Sequence, residues 1–130
     1  MNDLAKEIHE TAEHHGWWET PPSFPEVIAL CHSELSEALE EYRNNKGATY
    51  FECPYHDTRS RCPDKYDGCQ SGRNEGCKER KPEGIAVELA DCIIRILDYC
   101  GHEGIDIDSI VRTKMDYNKT RPYRHGGKKI

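Results

Sequence analysis

The stretch GIAVELADCIIRILDYC, residues 84–100, decides the fold. Wound at about 100° per residue, its apolar side chains Ile85, Val87, Leu89, Cys92, Ile93, Ile94, Ile96 and Leu97 wrap most of the circumference. The polar residues Glu88, Asp91, Arg95 and Asp98 fall at steps of three, four and three, and so line one narrow strip. A helix apolar nearly all round belongs at the centre of its fold, and its single polar strip then needs a partner. Pro82-Glu83-Gly84 is expected to open this helix and Gly101 to close it.

A second helix supplies that partner. Ser23-Phe24-Pro25-Glu26 has the form of a capping box, and a helix is expected from there to about Arg43. Val27, Ile28, Cys31, Leu35, Ala38, Leu39 and Tyr42 form one broad apolar stripe, which Glu34, Glu37 and Glu41 border on one side. Glu34 and Glu37 are three apart, as are Glu88 and Asp91, so each pair points two carboxylates one way. Acidic side chains are rarely buried unless they are paired or bind a metal. Packing the two helices together would converge four carboxylates on one place. Hard oxygen donors suit Mg²⁺ or Mn²⁺, and Mg²⁺ most often handles phosphates. A single E-x-x-E is commonplace on a solvated helix face. Here both pairs adjoin long apolar stripes, which favours a metal site over a solvated face.

Residues 3–15 read as a helix with Leu4, Ile8, Thr11 and Ala12 inward and Gly16 at its end. Trp17 and Trp18 follow in a loop. One is expected in the core, and the other either packs or stacks on a base. A last helix starts at Asp106 or Asp108, with Ile107, Ile110, Val111 and Met115 as its inner face. It carries Lys114 and Asn118 one turn apart, and Lys119, Arg121 and Arg124 follow. These cations suit either the helix dipole or the oxygens of a phosphate. No strand of period two and no internal repeat stands out. The expected fold is all-α, a bundle of about four helices forming one domain over residues 1–130.

Residues 46–81 interrupt that domain with an irregular Cys-rich insertion. Cys53, Cys62, Cys69 and Cys77, with His56 nearby, are candidates for Zn²⁺. Their spacing lacks the close pairs of a zinc ribbon, so free thiols in a loop are the competing expectation. Cys31, Cys92 and Cys100 fall on helices and read as small core residues.

The composition excludes several classes. A net charge of −6 argues against a nucleic-acid polymer as partner. No segment has the apolar length of a membrane span, and the charged, helix-patterned start MNDLAKEIHE does not read as a signal peptide. The cysteines are therefore expected as thiols or metal ligands in a reducing cytoplasm. The amphipathic helices carry more apolar surface than four short helices can bury among themselves, so a homodimer or homotetramer is expected.

The two acidic pairs in this order, followed by a helix with K-x-x-x-N and Arg, resemble the MazG-like family of all-α nucleoside triphosphate pyrophosphohydrolases. That superfamily includes dCTP pyrophosphatases and dimeric dUTPases. The resemblance covers about residues 4–45 and 82–126, on the pairs Glu34/Glu37 and Glu88/Asp91. His9 and Trp18 stand where the dCTP pyrophosphatase branch carries a substrate-pocket His and Trp. The Cys-rich insertion is the departure. The resemblance implies Mg²⁺-dependent hydrolysis of a nucleoside triphosphate to the monophosphate and pyrophosphate. Glu34, Glu37, Glu88 and Asp91 would be catalytic and metal-binding, and His9, Trp18, Lys114, Asn118 and Arg121 would bind substrate. It also implies an oligomer. The alternative from another class is a non-catalytic regulatory or protein-binding module that uses the insertion as its contact surface. A di-iron carboxylate protein would want Glu-x-x-His pairs, and neither acidic pair continues to a His at that spacing.

Overall fold

The computed structural model describes residues 1–52 and 80–123. Cys53, Cys62, Cys69, Cys77 and Arg124 lie outside the described residues, and so does the candidate zinc site. The fold is all-α. Among the described residues there are four helices, α1 (Asn2–His14), α2 (Phe24–Arg43), α3 (Ile85–His102) and α4 (Ile107–Lys119), and between α2 and α3 a two-stranded antiparallel pairing of β1 (Tyr50–Glu52) and β2 (Lys81–Glu83), called the hairpin below. By its contacts the chain divides into two units, Phe24–Ile93 and Met1–Ser23 with Ile94–Ile130, and the division falls inside α3.

In the Phe24–Ile93 unit, α2 buries Val27, Cys31, Glu34 and Ala38. These positions step by four, three and four along one face. The expected stripe was wider. Its larger members Ile28, Leu35, Leu39 and Tyr42 remain exposed in the single chain. Glu34 lies in the middle of that buried face rather than on its border.

The hairpin is a departure from the expected irregular segment. Tyr50 pairs with Glu83, Phe51 with Pro82 and Glu52 with Lys81, antiparallel. Three-residue strands are too short to show a period of two. Pro82 and Glu83 therefore end a strand instead of opening α3, which begins at Ile85. A proline without an N–H is tolerated in a strand that has an edge, as both strands of a two-stranded sheet do. The Glu52–Lys81 pair sets opposite charges across the strands. Gly84 makes the turn into α3 with φ of 112°, and a Cβ there would lie 2.7 Å from the Gly47 carbonyl oxygen. Only glycine accepts both conditions. The Ala86 N–H donates to the Ala48 carbonyl at 2.8 Å, which fixes the hairpin's base on the start of α3. Tyr50 donates its hydroxyl to Glu41 Oε2 at 2.8 Å. Burial, then the Glu41 carboxylate, pushes this phenol up to about 12.

In the other unit the core is Ala5, Leu97 and Cys100, with Ile8, Ile105 and Ile107 packed against it. The inner face of α1 is thus rotated from the expected one. Ala5 is buried and Ile8 and Ala12 are half-buried, while Leu4 and Thr11 face water. The reason lies on α3. A Cβ on Gly101 would sit 2.6 Å from the Ala5 carbonyl oxygen and 2.7 Å from the His9 Cβ. The missing side chain lets α1 lie against α3 through its smallest residue. On α4, Ile107 and Val111 are half-buried, whereas Ile110 and Met115, also expected inward, are exposed. Asp106 caps α4 by accepting from the Ser109 N–H at 3.1 Å. Asp108 instead accepts the Asn2 N–H at 2.9 Å. Among the described residues, no helix is long and apolar enough to cross a membrane.

Candidate functional site

The Phe24–Ile93 unit holds three carboxylates in one place. Oxygen atoms of Glu34, Glu37 and Glu88 all lie within 4.8 Å of one another. Glu34 comes from the buried face of α2, Glu37 follows one turn on, and Glu88 stands in the first turn of α3. The two glutamates from the apolar faces are only 5% and 6% exposed, while Glu37 is open to water. Burial raises the Glu88 pKa above its ordinary value, and the neighbouring charges of Glu37, Asp91, Glu83 and Glu34 add to the effect.

Such an arrangement favours a cation. Burying carboxylates beside like charges is costly unless something positive is bound or a proton is taken up. Three carboxylates from two helices offer the oxygen donors that hard cations such as Mg²⁺ or Mn²⁺ take. The fourth carboxylate of the sequence motif, Asp91, is half-buried and lies outside the close group, although its charge acts on Glu88. Lys81 on β2 pairs with Glu83 at 2.6 Å. Its ammonium is held charged by the Glu83 hydrogen bond, with help from Glu88 and Asp91.

The other sequence candidates fall in the second unit, and two of them meet. His9 on α1 and Trp18 in the following loop share one acceptor, Asp98 of α3. The His9 Nδ1 is 2.8 Å from Asp98 Oδ1. The Trp18 Nε1–H donates to both oxygens of that carboxylate, at 3.0 and 3.1 Å. His102 stacks on the Trp18 indole with centroids 4.0 Å apart and planes 18° from parallel. His9 meets both rings edge-on, at 5.0 and 5.3 Å. Trp17, next in the chain, is 75% exposed. The tryptophan expected in the core is not found there: Trp18 is half-buried against His9 and His102, and Trp17 is exposed.

Among the described residues, no hydrogen bond, ion pair or ring contact joins Lys114, Asn118 or Arg121 to this cluster. Lys114 and Asn118 are exposed on α4, with the Lys114 Nζ 5.2 Å from the Tyr117 ring centroid. Arg121 follows the helix, its N–H donating to the Asn118 carbonyl at 3.2 Å. The sequence reading did not assign Asp98 or His102 a role. Asp98 was visible as the last member of the polar strip on α3, but its partners lie 89 and 80 residues away. No protein-family model matches the chain, and neither curated proteins nor solved structures yield a similar one.

Proposed function

We propose that the protein is a metal-dependent nucleotide pyrophosphohydrolase, which cleaves a nucleoside triphosphate to the monophosphate and pyrophosphate. The observation that carries the reading is the convergence of Glu34, Glu37 and Glu88 within 4.8 Å, two of them buried. The order and spacing of the acidic pairs, which resemble those of MazG-like enzymes, add the substrate class.

Glu34, Glu37 and Glu88 would hold Mg²⁺, or Mn²⁺ in its place. When bound, such an ion offsets phosphate charge and makes a bound water more acidic. The chain's own task is to accept a proton as water adds across the phosphoanhydride. The water hydroxyl goes to one phosphorus, and the bond to the leaving phosphate oxygen breaks. Asp91 suits the role of proton acceptor, being half-buried and outside the close group. His9, Trp18, Lys114, Asn118 and Arg121 remain the substrate-binding candidates. A reducing cytoplasm suits the buried thiols of Cys31, Cys92 and Cys100.

Self-association belongs to the same reading. Ile28, Leu35 and Leu39 of α2, and Leu89 and Ile93 of α3, are each between 41% and 55% exposed in the single chain. Apolar surface of this extent is usually covered by a partner, and a homodimer or homotetramer would cover it. A monomer by light scattering at micromolar concentration contradicts that part.

The deciding experiment is a screen of ribo- and deoxyribonucleoside triphosphates with Mg²⁺ and with Mn²⁺, separating pyrophosphate from free phosphate. Metal-dependent pyrophosphate release is the expected result. Phosphate alone, or no product with any nucleotide, overturns the reading.

A further inference from the structure

Asp98 lies outside the two acidic motifs, yet it organises a cluster of its own. Its carboxylate takes donors from two other elements, the His9 ring on α1 and the Trp18 indole in the loop after α1. An ionised carboxylate only accepts, so His9 must carry its hydrogen on Nδ1. That leaves Nε2 at the far edge of the ring, 3.6 Å from Glu13 Oε1 and beyond hydrogen-bond length. Glu13 stays within ion-pair distance of this nitrogen.

The neighbouring tryptophan shows what the bond does. Trp17 occupies the same loop without this tie and stands 75% exposed. Trp18 is half-buried, with its plane set by two contacts to Asp98. His102 covers one face of the held indole at 4.0 Å, so a base stacks on the opposite face or takes the place of this ring. A planar nitrogen heterocycle has the same stacking chemistry.

We propose that Asp98 is the positioning residue of base recognition: it holds the Trp18 indole and the His9 ring as a fixed platform for a purine or pyrimidine. The proposal rests on the nucleotide reading above. Asp98 acts through its two partners. Trp18 supplies the stacking face, and His9 Nε2 reads the edge of the base.

The test uses the full chain with Asp98→Asn, Asp98→Ala and Asp98→Glu. Binding of plain nucleosides, without phosphate or metal, is followed by ligand-observed saturation-transfer NMR. In a Trp17→Phe background the single remaining indole N–H resonance reports on Trp18. Steady-state hydrolysis gives KM and kcat separately. Asp98→Asn and Asp98→Ala should displace the indole resonance and weaken nucleoside binding about tenfold, as losing a charge-assisted pair implies. KM should rise by about the same factor with kcat within about threefold. Asp98→Glu should restore part of the loss. Unchanged KM and nucleoside affinity in Asp98→Asn overturn the proposal, as does a wild-type chain whose Trp18 resonance no nucleoside moves. If the chain hydrolyses no nucleotide, the enzymatic reading fails while nucleoside binding still decides on Asp98. Should the Asp98 variants lose their helical signal, Trp18→Phe keeps an aromatic ring while removing the N–H donor and part of the stacking face. Wild-type affinity in that variant contradicts the proposal.

Discussion

Glu88 and Asp98 sit on the same helix, ten residues apart in sequence, and are treated in opposite ways. Glu88 is buried and faces four other carboxylates whose charges act on it. Asp98 is half-buried and faces donors, an imidazole nitrogen at 2.8 Å and an indole nitrogen at 3.0 Å. The first site accumulates negative charge around two buried carboxylates, with Glu37 at its open edge. The second neutralises its charge with hydrogen bonds from its own chain. The contrast separates two kinds of polar site. One is poised to take something from outside, and the other holds its neighbours in shape.

The sharpest way to break this contrast is to remove charge from the first site. Glu34→Gln and Glu88→Gln should each lower metal-dependent pyrophosphate release by about 10²-fold or more. Bound metal supplies several kcal/mol of charge stabilisation, and each ~1.4 kcal/mol is a factor of ten in rate. Helical circular dichroism should stay near wild type. Near-normal turnover in both variants would mean that the carboxylate group is not the active site.

The second site should fail mechanically rather than electrostatically. In Gly101→Ala a Cβ would meet the Ala5 carbonyl oxygen at 2.6 Å and the His9 Cβ at 2.7 Å. Overpacking of this kind costs about 1–3 kcal/mol, and thermal unfolding should report it. It should also displace the Trp18 indole resonance, because α1 carries His9. An unshifted melting temperature would show that α1 does not rest on α3 at this point.

Proton linkage gives the two sites different signatures. The Glu88 pKa is raised in the folded chain, so the native state binds more protons than the unfolded one once pH exceeds the ordinary carboxylate value. Stability of the metal-free protein therefore falls as pH rises through the interval between the ordinary and the folded values, and stays lower above it. Metal-free Glu88→Gln should melt higher than wild type at about pH 8, and the gap should close toward about pH 4. Saturating Mg²⁺ should reverse the order, since a ligand at 100 times its Kd adds about 2.7 kcal/mol. A gap that is the same at both pH values would deny that Glu88 is the group responsible.

A third carboxylate sharpens the comparison by a smaller amount. Glu41, on the same helix as Glu34, accepts the Tyr50 hydroxyl at 2.8 Å. Tyr50→Phe should destabilise by about 1 kcal/mol, the net worth of a typical hydrogen bond. The raised phenol, at about 12, means that this contribution is intact below the ordinary tyrosine value and is lost as pH rises through the folded one. An ultraviolet titration of the tyrosines should show one group ionising late. If all titrate together near pH 10, the bond is not formed in solution.

Much of this was legible in the chain. The apolar wrap of residues 85–97 and the capping box before Phe24 predict α2 and α3 to within a few residues. The three-residue spacing of Glu34 and Glu37 puts their carboxylates on one face, and the structure brings Glu88 to them. What periodicity does not reveal is which part of a wide stripe is covered. On α2, Val27, Cys31 and Ala38 are buried while Leu35 and Leu39 of the same stripe are exposed. Nor does periodicity reveal contacts across long separations. Asp98 finds His9 and Trp18 only once α1 rests on the bare Gly101 backbone. The hairpin was hidden for a different reason, since three residues are too few to show alternation.

Mn²⁺ binding measured by electron paramagnetic resonance, as loss of the free-ion signal on adding protein, tests the central claim most directly. The wild-type chain should take up Mn²⁺, Mg²⁺ should displace it, and Glu34→Gln and Glu88→Gln should each weaken uptake at least about tenfold, as loss of a metal-site group does. Asp98→Asn should bind like wild type. Equal Mn²⁺ uptake by wild type, Glu34→Gln and Glu88→Gln would contradict the account, because the three carboxylates would then be gathered for some purpose other than holding a cation.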